Sequence, residues 1–91
     1  MMLYLDTSAL LKAYIAEVGS AIVVAAMAAA TTIATGGIAY AEARAALARA
    51  LRERRVTPTE LATQVDRLDT HWSSYFVVAM SPAWAAAMRC S

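Results

Sequence analysis

From Val18 to Ala41 the chain carries no charged residue. An uncharged run of that length either spans a membrane or breaks into several elements of a folded domain. Ser20, Thr31, Thr32, Thr35 and the pair Gly36-Gly37 lie inside it, and its strongly apolar members are only Ile22, Val23, Val24, Met27, Ile33 and Ile38. Alanine is near neutral for insertion into a bilayer, and Gly-Gly marks a turn. The run therefore reads as a soluble helix, a short strand and a turn, and no membrane partner is expected.

The flanking segments extend the same alternation. Leu3-Tyr4-Leu5 is a short apolar run that stops at Asp6-Thr7-Ser8, and Leu10, Leu11, Tyr14 and Ile15 then recur at helical spacing. Ser20 is placed to cap a second helix reaching about Ala30, and Thr31–Thr35 is β-branched and bounded by glycine. A third helix runs from about Ile38 to Arg54. Thr57-Pro58-Thr59-Glu60 has the spacing of a capping box, and Leu61, Val65, Leu68 and Trp72 follow along one helical face. Ser74–Met80 is an unalternating β-prone run, as expected of a strand covered on both faces, and Ser81-Pro82 opens a last helix. Strands alternating with helices imply an α/β fold with a parallel sheet. The 91 residues make one small domain at most, 1–91, and its 60% of hydrophobic residues have to be buried; 23 of the 91 are alanine, which lowers the core volume each position supplies and favours close-packed helices.

A net charge of +1 excludes a global field that holds a polyanion, so nucleic-acid contact has to be local. Seven of the eight basic residues are arginine, suited to forked contacts with phosphate or carboxylate. Cys90 is the only cysteine, so a disulfide framework and a multi-cysteine zinc site are excluded, and a reducing, cytoplasmic setting is expected. The opening residues have no charged n-region or small-residue cleavage site of a secretory signal.

In open α/β sheets, chemistry collects beyond the carboxyl ends of the strands, and Asp6 ends the first one. Glu42 opens the third helix on a face shared with Ile38, Ala45, Ala46 and Arg49, able to sit close to the sheet. Two carboxylates at one edge suit a hard divalent ion, Mg²⁺ or alternatively Mn²⁺, which activates water and steadies phosphate charge. Plainer roles compete: Asp6 as a helix cap, and Glu42 in an ion pair with Arg49 or Arg44.

Leu3-Tyr4-Leu5-Asp6-Thr7-Ser8-Ala9-Leu10-Leu11-Lys12 and Tyr40-Ala41-Glu42-Ala43-Arg44-Ala45-Ala46-Leu47 resemble the PIN-domain toxins of the VapC type, in register over essentially the whole chain. The resemblance implies a three-layer α/β/α fold and a Mg²⁺-dependent endoribonuclease of a type II toxin–antitoxin system. Such an enzyme cleaves RNA by phosphodiester hydrolysis, is neutralised by a cognate antitoxin and forms a homodimer. Asp6 matches the first metal carboxylate of the family, Glu42 the second, and Ser8 the supporting hydroxyl. The family's third acidic residue falls beyond Ser91, so the last strand is expected to be missing and an edge of the sheet exposed. An alternative follows from that departure: a non-catalytic remnant that serves as a dimerisation or antitoxin-binding module.

Asp66 and Asp69 fall on the fourth helix, where a solvated face is expected. Lys12, Arg44 and Arg49 are candidate RNA or partner contacts, whereas Arg54 and Arg55 read as stabilising charges at a helix C-terminus. His71 has no second histidine or nearby cysteine to form a zinc set and reads as a dipole contact. Trp72, Tyr75, Phe76 and Trp84 are expected mostly inside the core, with base stacking the competing role.

Overall fold

The computed structural model describes residues 1–79, so the expected last helix from Ser81-Pro82, with Trp84 and Cys90, lies outside the described residues. The element order is β1 (Met2–Leu5), α1 (Thr7–Leu11), α2 (Ser20–Ala29), β2 (Thr32–Gly36), α3 (Ala39–Arg52), α4 (Pro58–Trp72) and β3 (Phe76–Val78). The strands form a parallel sheet in the order β1-β2-β3. Parallel neighbours require a crossover, and each crossover here carries two helices.

Because the strand order advances in one direction, right-handed crossovers place both helix pairs on the same face of the sheet. The core agrees. Leu5, Leu10, Tyr14, Ile15, Ala39, Ala43, Leu47, Ala50, Leu68 and Tyr75 form one buried cluster, joined by Leu3 and Ile33 from the sheet and by Val23 and Met27 from α2. The other face aligns Tyr4 with Ala34 and Phe76 across the three strands. Tyr4 and Phe76 stay exposed there, at 57% and 58%. The described residues thus make two layers, a parallel sheet and one sheath of helices. β3 departs from the expectation of a strand covered on both faces: all three of its residues are exposed.

Helix limits follow local chemistry. α1 stops at Leu11 because Ala13 and Tyr14 bond back to Leu10 and Leu11 in tight turns, which carry Tyr14 and Ile15 into the core. Ser20 does not cap α2; Gly19 occupies that position at φ 92, where a side chain would be strained, and Lys12 covers it closely. The Ser20 hydroxyl instead accepts from the Glu17 N–H and donates to the Ile15 carbonyl, closing the preceding loop. α3 buries Ala39, Ala43, Leu47 and Ala50 along a single stripe, and the alanines let α1 and α4 approach it closely. Among the described residues no helix is long and apolar enough to cross a membrane.

The capping box of α4 forms as its spacing requires. Thr57 Oγ1 accepts from the Glu60 N–H, and Glu60 Oε1 accepts from the Thr57 N–H. Thr57→Ala leaves the Glu60 amide without its partner and is expected to cost about 0.5–2 kcal/mol. A lowered urea midpoint with an unchanged slope would register that loss.

One polar cluster is enclosed by the core. The Tyr14 hydroxyl meets the Tyr75 hydroxyl at 2.5 Å and His71 Nδ1 at 2.9 Å. His71 is thus engaged through its ring with α1's continuation, beyond the expected dipole contact. Burial raises the pKa of both phenols above the ordinary 10.0, and for Tyr14 the bond to Tyr75 adds to the rise. The folded state therefore keeps protons that the unfolded chain releases near its ordinary value. Stability is intact below about pH 10 and falls as pH climbs toward the folded-state values. Urea unfolding at about pH 8 and about pH 11 should show this loss, and Tyr14→Phe should have a shallower dependence.

Candidate functional site

The carboxyl ends of β1 and β2 lie side by side, with Leu5 opposite Thr35 in the register. Thr35, fully buried, fastens this edge by donating from Oγ1 to the Leu5 carbonyl at 2.8 Å. Asp6 leaves β1 in extended conformation, and its Oδ1 accepts from the Ala9 N–H at 2.9 Å. The capping role is therefore real, and it occupies one carboxylate oxygen. Glu42 lies in the first turn of α3, where the helix dipole favours a negative charge.

Thr7 joins the two. Its Oγ1 donates to Glu42 Oε1 at 2.6 Å, so the residue after Asp6 holds the carboxylate of a helix that begins more than thirty residues later. Asp6 and Glu42 are both exposed, and among the described residues neither forms a salt bridge. Each has one oxygen engaged within the protein; among the described residues the second accepts no hydrogen bond.

Three expectations change. Glu42 does not lie against the sheet: on its face Ile38, Ala45 and Arg49 are exposed and Ala46 is half-buried, because α3 turns its Ala39-Ala43-Leu47-Ala50 stripe inward. Glu42 is not paired with arginine: Arg44 Nη1 donates to the Tyr40 hydroxyl at 2.8 Å and its guanidinium lies 5.7 Å from that ring's centre, while Arg49 is exposed. Asp69 is not merely solvated, since the Tyr40 hydroxyl donates to its Oδ1 and ties α3 to α4.

Ser8 is exposed and its hydroxyl makes no hydrogen bond among the described residues. Thr7 is the residue that sequence reasoning missed. Successive helical residues point about 100° apart, so only one of two adjacent hydroxyls can face α3, and nothing in the spacing says which. Lys12 Nζ lies 3.3 Å from Glu17 Oε1, which holds it in the loop before α2. Trp72 and Tyr75 turn inward as expected, stacking edge to face at 6.0 Å, but Phe76 is exposed.

Among the described residues no group of three or more His, Cys, Asp or Glu side chains gathers. Two exposed carboxylates with one free oxygen each still fit a Mg²⁺-type ion, which is commonly held by one or two carboxylates and completes its shell with water and substrate oxygens. Comparison with protein-family models and with the curated proteins finds no match.

Proposed function

We propose that the chain is a PIN-type, divalent-metal-dependent endoribonuclease, the toxin of a type II toxin–antitoxin pair, with Asp6 and Glu42 as its metal carboxylates. The Thr7–Glu42 hydrogen bond carries this reading, because it ties Glu42 to the residue next to Asp6 at the carboxyl end of β1 in a parallel sheet. The PIN-like, three-layer fold is part of the proposal: the parallel β1-β2-β3 order and its helical crossovers support the sheet and one helical layer, and the second helical layer is proposed. Mg²⁺, or Mn²⁺ in its place, supplies Lewis acidity and a more acidic water when bound. The Ala9 N–H fixes Asp6, and Thr7 fixes Glu42, so that both carboxylates are oriented before substrate arrives. Exposed Arg44 and Arg49, on the same helix as Glu42, are the proposed phosphate contacts, while Lys12 would first have to leave Glu17. RNA, a cognate antitoxin and a second copy are the proposed partners, and the cytoplasm the proposed location.

Incubating the purified chain with structured RNA tests this directly. Cleavage that needs Mg²⁺, stops with EDTA and is lost in Asp6→Asn supports it; no cleavage, or cleavage indifferent to EDTA, refutes it. The second reading, a non-catalytic binding module, is favoured by the exposed Tyr4 and Phe76 on the open sheet face. RNA left intact by a chain that still captures an antitoxin would select it.

A further inference from the structure

Helix α3 ends in a Schellman turn: the Arg54 N–H donates to the Leu51 carbonyl at 3.0 Å and the Arg55 N–H to the Ala50 carbonyl at 2.8 Å. Such a turn needs the residue just past the helix cap in the left-handed conformation, which glycine takes freely and other residues take at a cost. Arg54 occupies it at φ 59, and among the described residues no other non-glycine residue has a positive φ. A charge for the helix dipole does not require arginine at this position, since Arg49 and Arg52 already stand in the last turn. Arg55 is engaged, with Nη2 3.1 Å from Glu53 Oε1. Arg49, Arg52 and Arg54 are exposed, and among the described residues none of the three forms a salt bridge.

We propose that these three arginines hold the phosphates of an RNA strand that runs along α3 from Glu42 to the helix C-terminus. The inference rests on Glu42 standing at the cleavage site proposed above, and adds the direction in which the RNA leaves it. The helical turn puts Glu42, Arg49 and Arg52 on one side of α3, with exposed Ala41 and Ala45 and half-buried Ala48 as its floor. At a rise of about 1.5 Å per residue, Arg49 stands roughly 10 Å and Arg52 roughly 15 Å along the axis from Glu42, distances that a few nucleotides of backbone span. The next acidic residue along the chain, Glu53, is neutralised by Arg55 and so does not repel a phosphate. Past Ile38 this side carries no large apolar residue. A protein partner would find no apolar core to bury there, whereas phosphates need only charge.

Fluorescence anisotropy of a labelled oligouridylate of about ten nucleotides, titrated in EDTA so that no metal-dependent cleavage intervenes, tests it. The wild-type chain should bind, and Arg52→Gln and Arg54→Gly should each lower the salt slope by about 0.7. The two substitutions together should weaken binding by at least about tenfold at low salt. Glycine suits the left-handed position, so the melting temperature of Arg54→Gly should be no lower than that of wild type. No binding, or binding indifferent to both substitutions, overturns the proposal. So does a lower melting temperature in Arg54→Gly, which would make the arginine part of the fold. An oligoglutamate that binds as tightly as the RNA through the same arginines also overturns it, in favour of an acidic protein partner. Arginine-dependent binding by a chain that cuts no RNA upholds the phosphate path and refutes the ribonuclease reading alone; cleavage beside arginine-indifferent binding refutes this inference alone.

Discussion

Leu47→Ala is expected to destabilise the fold by about 2–5 kcal/mol, toward the upper end of that range. Leu47 is fully buried on α3 in a stripe whose other members, Ala39, Ala43 and Ala50, are already the smallest residues able to fill their sites. The alanines of that stripe cannot extend into the cavity, so much of it stays open and its lining loses contacts. A small domain is stable by only about 5–15 kcal/mol in total, so the loss is a large share of its stability. Urea unfolding should show a much lower midpoint with an unchanged slope, and Leu47→Met, which keeps the volume, should stay within about 1.5 kcal/mol of wild type.

Glu42→Gln is expected to reduce metal-dependent RNA cleavage by at least about 100-fold. Loss of a residue that merely supports a metal ligand costs about 10–100-fold, and a ligand contributes more than its support. The amide keeps an oxygen for the Thr7 hydroxyl, so the tie between α1 and α3 survives and the charge alone is removed. Asp6→Asn makes the same test from the other side. Asparagine caps a helix about as well as aspartate, so the Ala9 contact is retained and the melting temperature should barely move. Thr7→Val lies between these cases, with cleavage lowered by about 10–100-fold and restored by Thr7→Ser. Single-turnover rates at saturating Mg²⁺, measured beside melting curves, separate lost chemistry from lost fold.

Much of the fold was legible because its signals are local. The Thr57-Pro58-Thr59-Glu60 box starts α4 by its own hydrogen bonds, and the Leu61-Val65-Leu68-Trp72 stripe packs on the core as its period requires. Asp6 was legible for the same reason, as a carboxylate between a strand and a helix. What was lost depends on neighbours distant in the chain. The side of α3 that turns inward is set by α1 and α4 together, which is why Glu42 lies exposed and not on a face near the sheet. Ser20 looked like a cap, yet the loop from Ile15 to Gly19 gave its hydroxyl two closer partners. His71 meets Tyr14 across most of the chain, a contact that no spacing rule encodes. The strand order, which leaves one sheet face free of described helices, is likewise a property of the assembled sheet.

The central claim is that Asp6 and Glu42 act together on one ion, and Mn²⁺ titration followed by paramagnetic resonance or calorimetry addresses it without RNA. The expected result is one site in the wild-type chain, weakened by at least about tenfold in Asp6→Asn and equally in Glu42→Gln. Mn²⁺ uptake that is the same in all three proteins would contradict it.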